Sequence, residues 1–150
     1  MDQIEKDKDK RLDTQLMQER LKGETFPQDW NAFLEEDIRG FFDELLNETG
    51  QKKSEIIQKA NLSRTYGYQI MEGRRIGKRD YYILIALAMR LDLKTTQRML
   101  AVVHYGVLHP LLKRDAAIIF AINHGYDILK TYELMSAAGI EPLSSGLERE

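Results

Sequence analysis

An all-α fold is predicted by three observations. Apolar residues recur at steps of three and four along most of the chain, the spacing that stacks side chains on one face of a helix. Where those runs break, Gly, Asn, Asp and Ser stand in positions that end one helix or cap the next. The second half of the chain also overlays itself when shifted by 35 residues, as stacked helical hairpins do. The 150 residues allow one domain, or a small domain with extensions. A chain of that size buries roughly 70% of its unfolded surface and needs no covalent staples.

Composition narrows the function classes. With 43% apolar and 31% charged residues, wholesale disorder is not expected. The absence of cysteine excludes a disulfide scaffold, a thiol nucleophile and a cysteine-ligated metal. No run approaches the ~18 apolar residues of a membrane span, and the N-terminal segment is too charged for a signal peptide, so a cytoplasmic protein without a membrane partner is expected. The formal charge of -2 conceals an asymmetry. Residues 1–50 carry seven bases and fourteen acids, net -7, and residues 99–150 carry four and six, net -2. Between them, residues 51–98 carry eleven bases and four acids, net +7. A local field of that sign attracts polyanions whatever the total charge.

Taken in order, the elements begin with a charged arm, residues 2–13, holding only Ile4 and Leu12 as aliphatic residues. Leu12, Leu16, Met17 and Leu21 predict a short amphipathic helix reaching Lys22, stopped by Gly23 and followed by a linker with Pro27. The clearest helix carries Trp30, Phe33, Leu34, Ile38, Phe41, Phe42, Leu45 and Leu46 on one stripe, with Asp29 or Asn31 as its cap and Gly50 as its stop. Residues 52–60 form a shorter helix with Ile56, Ile57 and Ala60 inward. Asn61 suits the left-handed conformation of a tight turn, Ser63 caps a helix over Arg64–Met71, and Gly73 lies just past its end. Two more helices are expected over Arg79–Leu91 and Lys94–Tyr105, with Asp92 between them.

The repeat places Lys78-Arg79-Asp80 on Lys113-Arg114-Asp115, Ile83 on Ile118, Ala86 on Ala121, Asp92 on Asp127 and Thr96 on Thr131. After a local adjustment, Pro110-Leu111 is matched to Pro142-Leu143. Each unit reads as helix, Asp-capped turn, helix and exit, and two such units bury a shared seam.

The segment from Lys53 to Arg75 has the spacing of a helix-turn-helix. The second helix of such a pair enters the major groove by its N-terminal end, which here is Ser63-Arg64-Thr65-Tyr66. Arginine bonds guanine edges bidentately, Gln69 has the same capacity toward adenine, and a helix N-terminus attracts phosphate. Arg74, Arg75 and Lys78 follow where backbone contacts hold register without reading sequence. Tyr81 and Tyr82 open the next helix and are read as core or hairpin-packing residues rather than base-stacking ones.

Over residues 34–93 the chain resembles the Cro/cI-like (XRE-type) helix-turn-helix transcriptional regulators. The resemblance rests on the first helix, then SEIIQKANLSRTYGYQIMEGRRIGKRD, then ILIALAMRLDL. It implies a lambda-repressor-like helix-turn-helix bundle whose recognition helix opens at Leu62-Ser63 and closes at Ile70, Met71, Gly73, Arg74 and Arg75. Ile83, Leu84, Leu87, Ala88 and Leu91 would complete it. Carried over by position, the DNA-facing residues are Lys53, Ser54, Arg64, Thr65, Tyr66 and Gln69. Four positions depart from the family pattern: Ile57 replaces a small residue, Asn61 the turn glycine, Gly67 a buried aliphatic one and Gly77 the loop proline. Gly67 costs about 1 kcal/mol against alanine in a helix; either Tyr66 and Tyr68 rebuild the packing around it, or the third helix is irregular and binds something other than DNA.

No other constellation points to chemistry. His104 and His109 are five apart rather than four, with Pro110 following, so no metal is expected. There is no nucleophile context and no phosphate-cradling glycine loop, so neither an enzyme nor a cofactor is expected. The run from Ile118 to Ile122 is apolar on nearly all sides, as in a central helix or a partner surface. The expected organisation is an acidic arm and linker (1–29), a helix-turn-helix domain (30–93), a helical hairpin extension (94–143) and a loose tail (144–150). The expected function is a sequence-specific transcriptional regulator on double-stranded DNA, paired as a homodimer or with a protein partner through the C-terminal hairpins. The alternative is a helical protein–protein adaptor on the same scaffold, and an acidic arm that competes for the basic strip is a variant of the first.

Overall fold

Residues 14–26 and 38–146 are described in the computed structural model, and every regular element among them is an α-helix. Two units are distinguished, Met1–Glu36 and Asp37–Glu150. The first contributes α1 (Thr14–Arg20), with Leu16, Leu21 and Phe26 exposed. Its helix stops two residues before Lys22, where the Gly23 N–H bonds the Arg20 carbonyl. The arm residues Ile4 and Leu12, the linker's Pro27, the stripe residues Trp30, Phe33 and Leu34 and the caps Asp29 and Asn31 lie outside the described residues. No described helix is long and apolar enough to cross a membrane.

The second unit runs through α2 (Ile38–Thr49), α3 (Lys53–Lys59), α4 (Arg64–Met71), α5 (Arg79–Met89), α6 (Leu93–Val102), α7 (Lys113–Asn123) and α8 (Ile128–Ala137). Local chemistry sets the joints. Gly50 turns left-handed after α2, and Asn61 (φ 59°) does so after α3. The side chains of Ser63, Asp92 and Asp127 accept from the N–H groups of Tyr66, Thr95 and Lys130, one helical turn on. α5 ends two residues short of Leu91 because Arg90 adopts φ 59°, and α6 ends at Val102, ahead of a left-handed His104. At the centre lies α5, buried without interruption from Tyr81 to Leu87. Phe42 of α2 stacks near Tyr82 at 6.5 Å, and Ile56, Ile57, Ile70, Met71, Met99 and Leu100 close the core around them. Tyr81 and Tyr82 are thus core residues, 6% and 0% exposed.

The 35-residue repeat is visible in the backbone. Arg90 and Gly125, and His104 and Gly139, are left-handed pairs at that spacing. Thr96 and Thr131, both fully buried, return their hydroxyls to the carbonyls of Asp92 and Asp127. The repeat register stays at 35 through the exit loops, where Leu108 and Leu143 are both buried. The matching of Pro110-Leu111 to Pro142-Leu143 is therefore corrected: Pro142 corresponds to Val107, and Leu111 is 88% exposed.

The two repeated hairpins, α5–α6 and α7–α8, are joined by exchange rather than by translation. Arg79 donates through both Nη atoms to Asp115 (3.1 and 3.1 Å), and Arg114 does the same to Asp80 (2.8 and 2.8 Å). Each arginine also holds the exit loop of its own hairpin, Arg79 at the carbonyls of Gly106 and Val107 and Arg114 at those of Glu141 and Pro142. Each aspartate accepts one more N–H from the opposite hairpin's exit, Asp115 from His109 and Asp80 from Ser144. Every partner is displaced by 35 residues from its counterpart. Likewise α5 packs on α8 while α6 packs on α7. Reciprocal contacts of this kind are the signature of a two-fold relation, so the duplicated hairpins form an internal pseudo-dimer. Residues 144–146, expected in a loose tail, are ordered by it: Ser144 bonds Asp80, Ser145 is 4% exposed, and a Cβ built on Gly146 would lie 2.7 Å from the Tyr81 hydroxyl.

Burial acts to raise the Asp80 and Asp115 carboxyls, but the arginine hydrogen bonds, the backbone donors and the adjacent positive charges outweigh it, and both sit below their ordinary value. Hydrogen bonding to Asp80 holds Arg114 above its own. In the unfolded chain these carboxyls titrate near 4 and bind protons more tightly than in the fold. Their stabilisation is therefore complete above about pH 4 and is lost as pH falls through the depressed folded values. Asp80→Asn and Asp115→Asn are each expected to lose roughly 1–3 kcal/mol at pH 7 and to weaken the acid sensitivity. Urea unfolding at pH 7 and pH 3 measures both. An unchanged pH dependence in the two variants would remove the bridges as its source.

Candidate nucleic-acid interface

The helix-turn-helix segment is built by α3, the turn at 60–63 and α4. The left-handed Asn61 lets the Leu62 N–H reach back to the Ile57 carbonyl, and Leu62 is buried as the turn's anchor. Beyond it Ser63, Arg64 and Thr65 are exposed at the start of α4, and Ser54 is exposed in the first turn of α3. The Ser63 oxygen accepts the Tyr66 N–H at 3.2 Å, which leaves its own hydrogen to donate outward.

Tyr66 is half-buried and acts as a pillar. Its ring meets Tyr81 edge-to-face at 5.6 Å, and the Arg75 guanidinium lies 4.9 Å above its centre. Gln69, also half-buried, accepts the N–H groups of Arg74 and Arg75 at its backbone carbonyl, so the exit loop folds back on α4. Arg74, Arg75 and Lys78 are exposed there, with Arg74 paired to Glu72 at 3.0 Å. Lys53 is placed differently: its side chain is 22% exposed and pairs with Asp43 of α2 at 3.5 Å. Of the sequence-assigned residues, then, Tyr66, Gln69, Arg74 and Arg75 are brought together. Ser63, Arg64 and Thr65 form the exposed leading edge, and Lys53 is turned toward an acid.

Three of the four positions that depart from the pattern of the resembling family, Ile57, Gly67 and Gly77, have physical reasons. A Cβ built on Gly67 would lie 2.7 Å from Ile57 Cγ2 and 2.8 Å from its Cγ1. Ile57, 2% exposed, thus fills the space that Gly67 leaves open, and two departures are one exchange of large for small across α3 and α4. Tyr66 and Tyr68, flanking Gly67, are partly buried against the core, while the space directly over Gly67 belongs to Ile57. Gly77 donates its N–H to the Tyr82 hydroxyl at 3.0 Å and accepts from the Tyr105 hydroxyl at 2.6 Å. A proline would lose the first bond, and any Cβ would meet Ile70 at 2.7 Å. Burial raises the Tyr82 phenol above its ordinary value, against the lowering effect of the Gly77 bond.

The basic excess survives the internal ion pairs. Arg79 and Asp80 pair outside the segment, with Asp115 and Arg114, and Lys53 pairs outside it with Asp43, so residues 51–98 lose two positive charges and one negative and keep an excess of +6. His104, His109 and His124 are all exposed, and no group of three or more potential metal ligands is found among the described residues. No family model, curated protein or solved structure matches the chain.

Helix propensity alone would have Gly67→Ala gain about 1 kcal/mol. Because of Ile57, it is expected to lose roughly 1–3 kcal/mol instead. Ile57→Ala alone opens a cavity and should lose roughly 2–5 kcal/mol. The double variant should lose less than the two single changes together. Denaturant midpoints of the four proteins decide; additive losses would mean that the two side-chain positions do not share one space.

Proposed function

We propose that the chain is a cytoplasmic, sequence-specific DNA-binding regulator with a lambda-repressor-like helix-turn-helix, akin to the Cro/cI-like (XRE-type) regulators. The observation that carries this reading is the pairing of an exposed Ser63-Arg64-Thr65 edge at the start of α4 with an exit loop of three exposed bases clamped to the same helix. α4 would enter the major groove by its N-terminal turn. Arg64, Thr65 and Gln69 would read base edges, while Ser54, Ser63, Arg74, Arg75 and Lys78 would hold phosphates. Tyr66 would keep Arg75 in place, and Lys53 would reach phosphate beside Asp43. One short recognition helix reads a half-site, so two copies joined through the C-terminal hairpins would read a paired site.

A second reading, a protein–protein adaptor, is favoured by apolar exposure away from α4: Leu111, Leu112 and Leu129 are 88%, 59% and 67% exposed. The two readings separate on titration of genomic DNA fragments at two salt concentrations. DNA reading predicts specific, steeply salt-dependent binding. Arg64→Ala should weaken the preferred sequence by about 1–3 kcal/mol, roughly 5- to 150-fold. Arg75→Ala should weaken all sequences alike and lower the salt slope by about one. Absence of binding at low salt would discard the DNA reading and leave the adaptor.

A further inference from the structure

α3 and α8 both pack on α5, and a cleft of about 490 Å³ lies where the three meet. Its apolar lining includes Leu87 of α5 and Ile128 and Leu129 at the start of α8. Leu129 is 67% exposed, an aliphatic side chain left largely to water. The polar lining is Gln51, Lys59, Arg90 and Asp127. A volume in this range, apolar walls and a few convergent polar groups are the attributes of a small-molecule site.

Charge selects the kind of molecule. Lys59 and Arg90 are exposed, and neither enters an ion pair among the described residues. Against these two cations the lining holds one acid, Asp127, whose Oδ1 already accepts the Lys130 N–H to cap α8. Glu55, one turn before Lys59, is not part of the lining. The cleft therefore keeps a positive excess beside its apolar wall. Arg90 is held there against a backbone preference. It ends α5 at φ 59°, a conformation that glycine adopts freely and other residues rarely, and its counterpart in the second hairpin is Gly125 at φ 67°. The first hairpin thus accepts strain to carry a guanidinium at this point. Its Nη1 donates to the Gly125 carbonyl at 2.6 Å, which fixes the group and leaves its remaining donors for a ligand.

We propose that this cleft binds a small amphipathic carboxylate, its apolar body against Leu87, Ile128 and Leu129 and its carboxylate against Arg90 and Lys59. None of the lining residues belongs to α4 or its exit loop, and binding is measured without DNA, so the site stands or falls apart from the DNA reading. Hexanoate is the probe, with hexanol and inorganic phosphate standing for its two halves. Each is titrated into the full chain and followed by methyl and amide NMR shifts. Hexanoate is expected to shift the Leu87, Ile128 and Leu129 signals and to saturate at about 1 mM, the strength open to a ligand of its size. Hexanol and phosphate are expected to bind at least about tenfold more weakly, and Lys59→Gln and Arg90→Gly to weaken hexanoate at least about fivefold each. Arg90→Gly relieves the left-handed strain, so its unfolding midpoint is expected to hold. Should that midpoint fall, Lys59→Gln decides, because Lys59 has no ion-pair partner to lose. Hexanoate shifts that do not saturate, that fall elsewhere or that persist unchanged in Lys59→Gln would overturn the proposal. Hexanol or phosphate binding as tightly as hexanoate would overturn it too.

Discussion

The Arg79–Asp115 and Arg114–Asp80 exchange is the constraint on which the other contacts depend. A partly buried guanidinium is costly unless its donors are met, and both arginines meet them with a bidentate carboxylate and loop carbonyls. Each side chain therefore fixes three things at once: the start of its own helix, the exit of its own hairpin and the opposing hairpin. Because α5 begins at Arg79 and is the helix against which α3, α6 and α8 pack, its placement orders the rest of the unit. Ion pairs in such sites add little net stability over apolar packing, but a mismatched register would strand a charge. Their effect here is to admit one arrangement of two similar hairpins and exclude slipped ones.

From that anchor the order passes to α4 through two tyrosines. Gly77 lies between the basic loop and α5, and its N–H and carbonyl are both bonded, to Tyr82 and Tyr105. Burial keeps the Tyr82 phenol protonated, so it remains a neutral partner in the core. Tyr81, next in the chain, carries the Tyr66 ring, and Tyr66 in turn carries Arg75. The exposed bases of the exit loop are thus mounted on core residues rather than on a free loop. Preorganisation of this kind lowers the side-chain ordering cost of contacting a rigid polyanion.

What the sequence made legible was the local chemistry. Asn61, Ser63, Asp92 and Asp127 act on backbone groups within one turn, so residue type alone reveals their role. The repeat was legible because its Lys-Arg-Asp triplets are identical. Its two-fold character was not, since identical triplets fit a translation or a rotation equally and only the partners distinguish them. Proline misled the register of the exit loops: Arg79 and Arg114 grip backbone carbonyls there, and a carbonyl is the same on Val107 as on Pro142. The exchange between Ile57 and Gly67 was hidden for a related reason. Two departures ten residues apart read as two weaknesses until the contact across α3 and α4 makes them one.

Charge follows the same logic, because a count along the chain ignores who sits beside whom. The excess over residues 51–98 withstands the arginine–aspartate exchange, which removes one charge of each sign. Among the described residues, an acid from the acidic first third reaches the basic segment: Asp43 of α2 lies 3.5 Å from Lys53, and 3.8 Å from Arg39 of its own helix. That carboxylate is 48% exposed, and ion pairs of such exposure contribute about 0–1 kcal/mol. Lysine also carries three donors, so Lys53 can meet a phosphate without releasing Asp43. The acid therefore subtracts from the attraction of Lys53 for a polyanion without blocking it. On the proposed DNA-binding reading, phosphate contacts would fall chiefly on Arg75 and Lys78, which are exposed and adjoin α4 and α5.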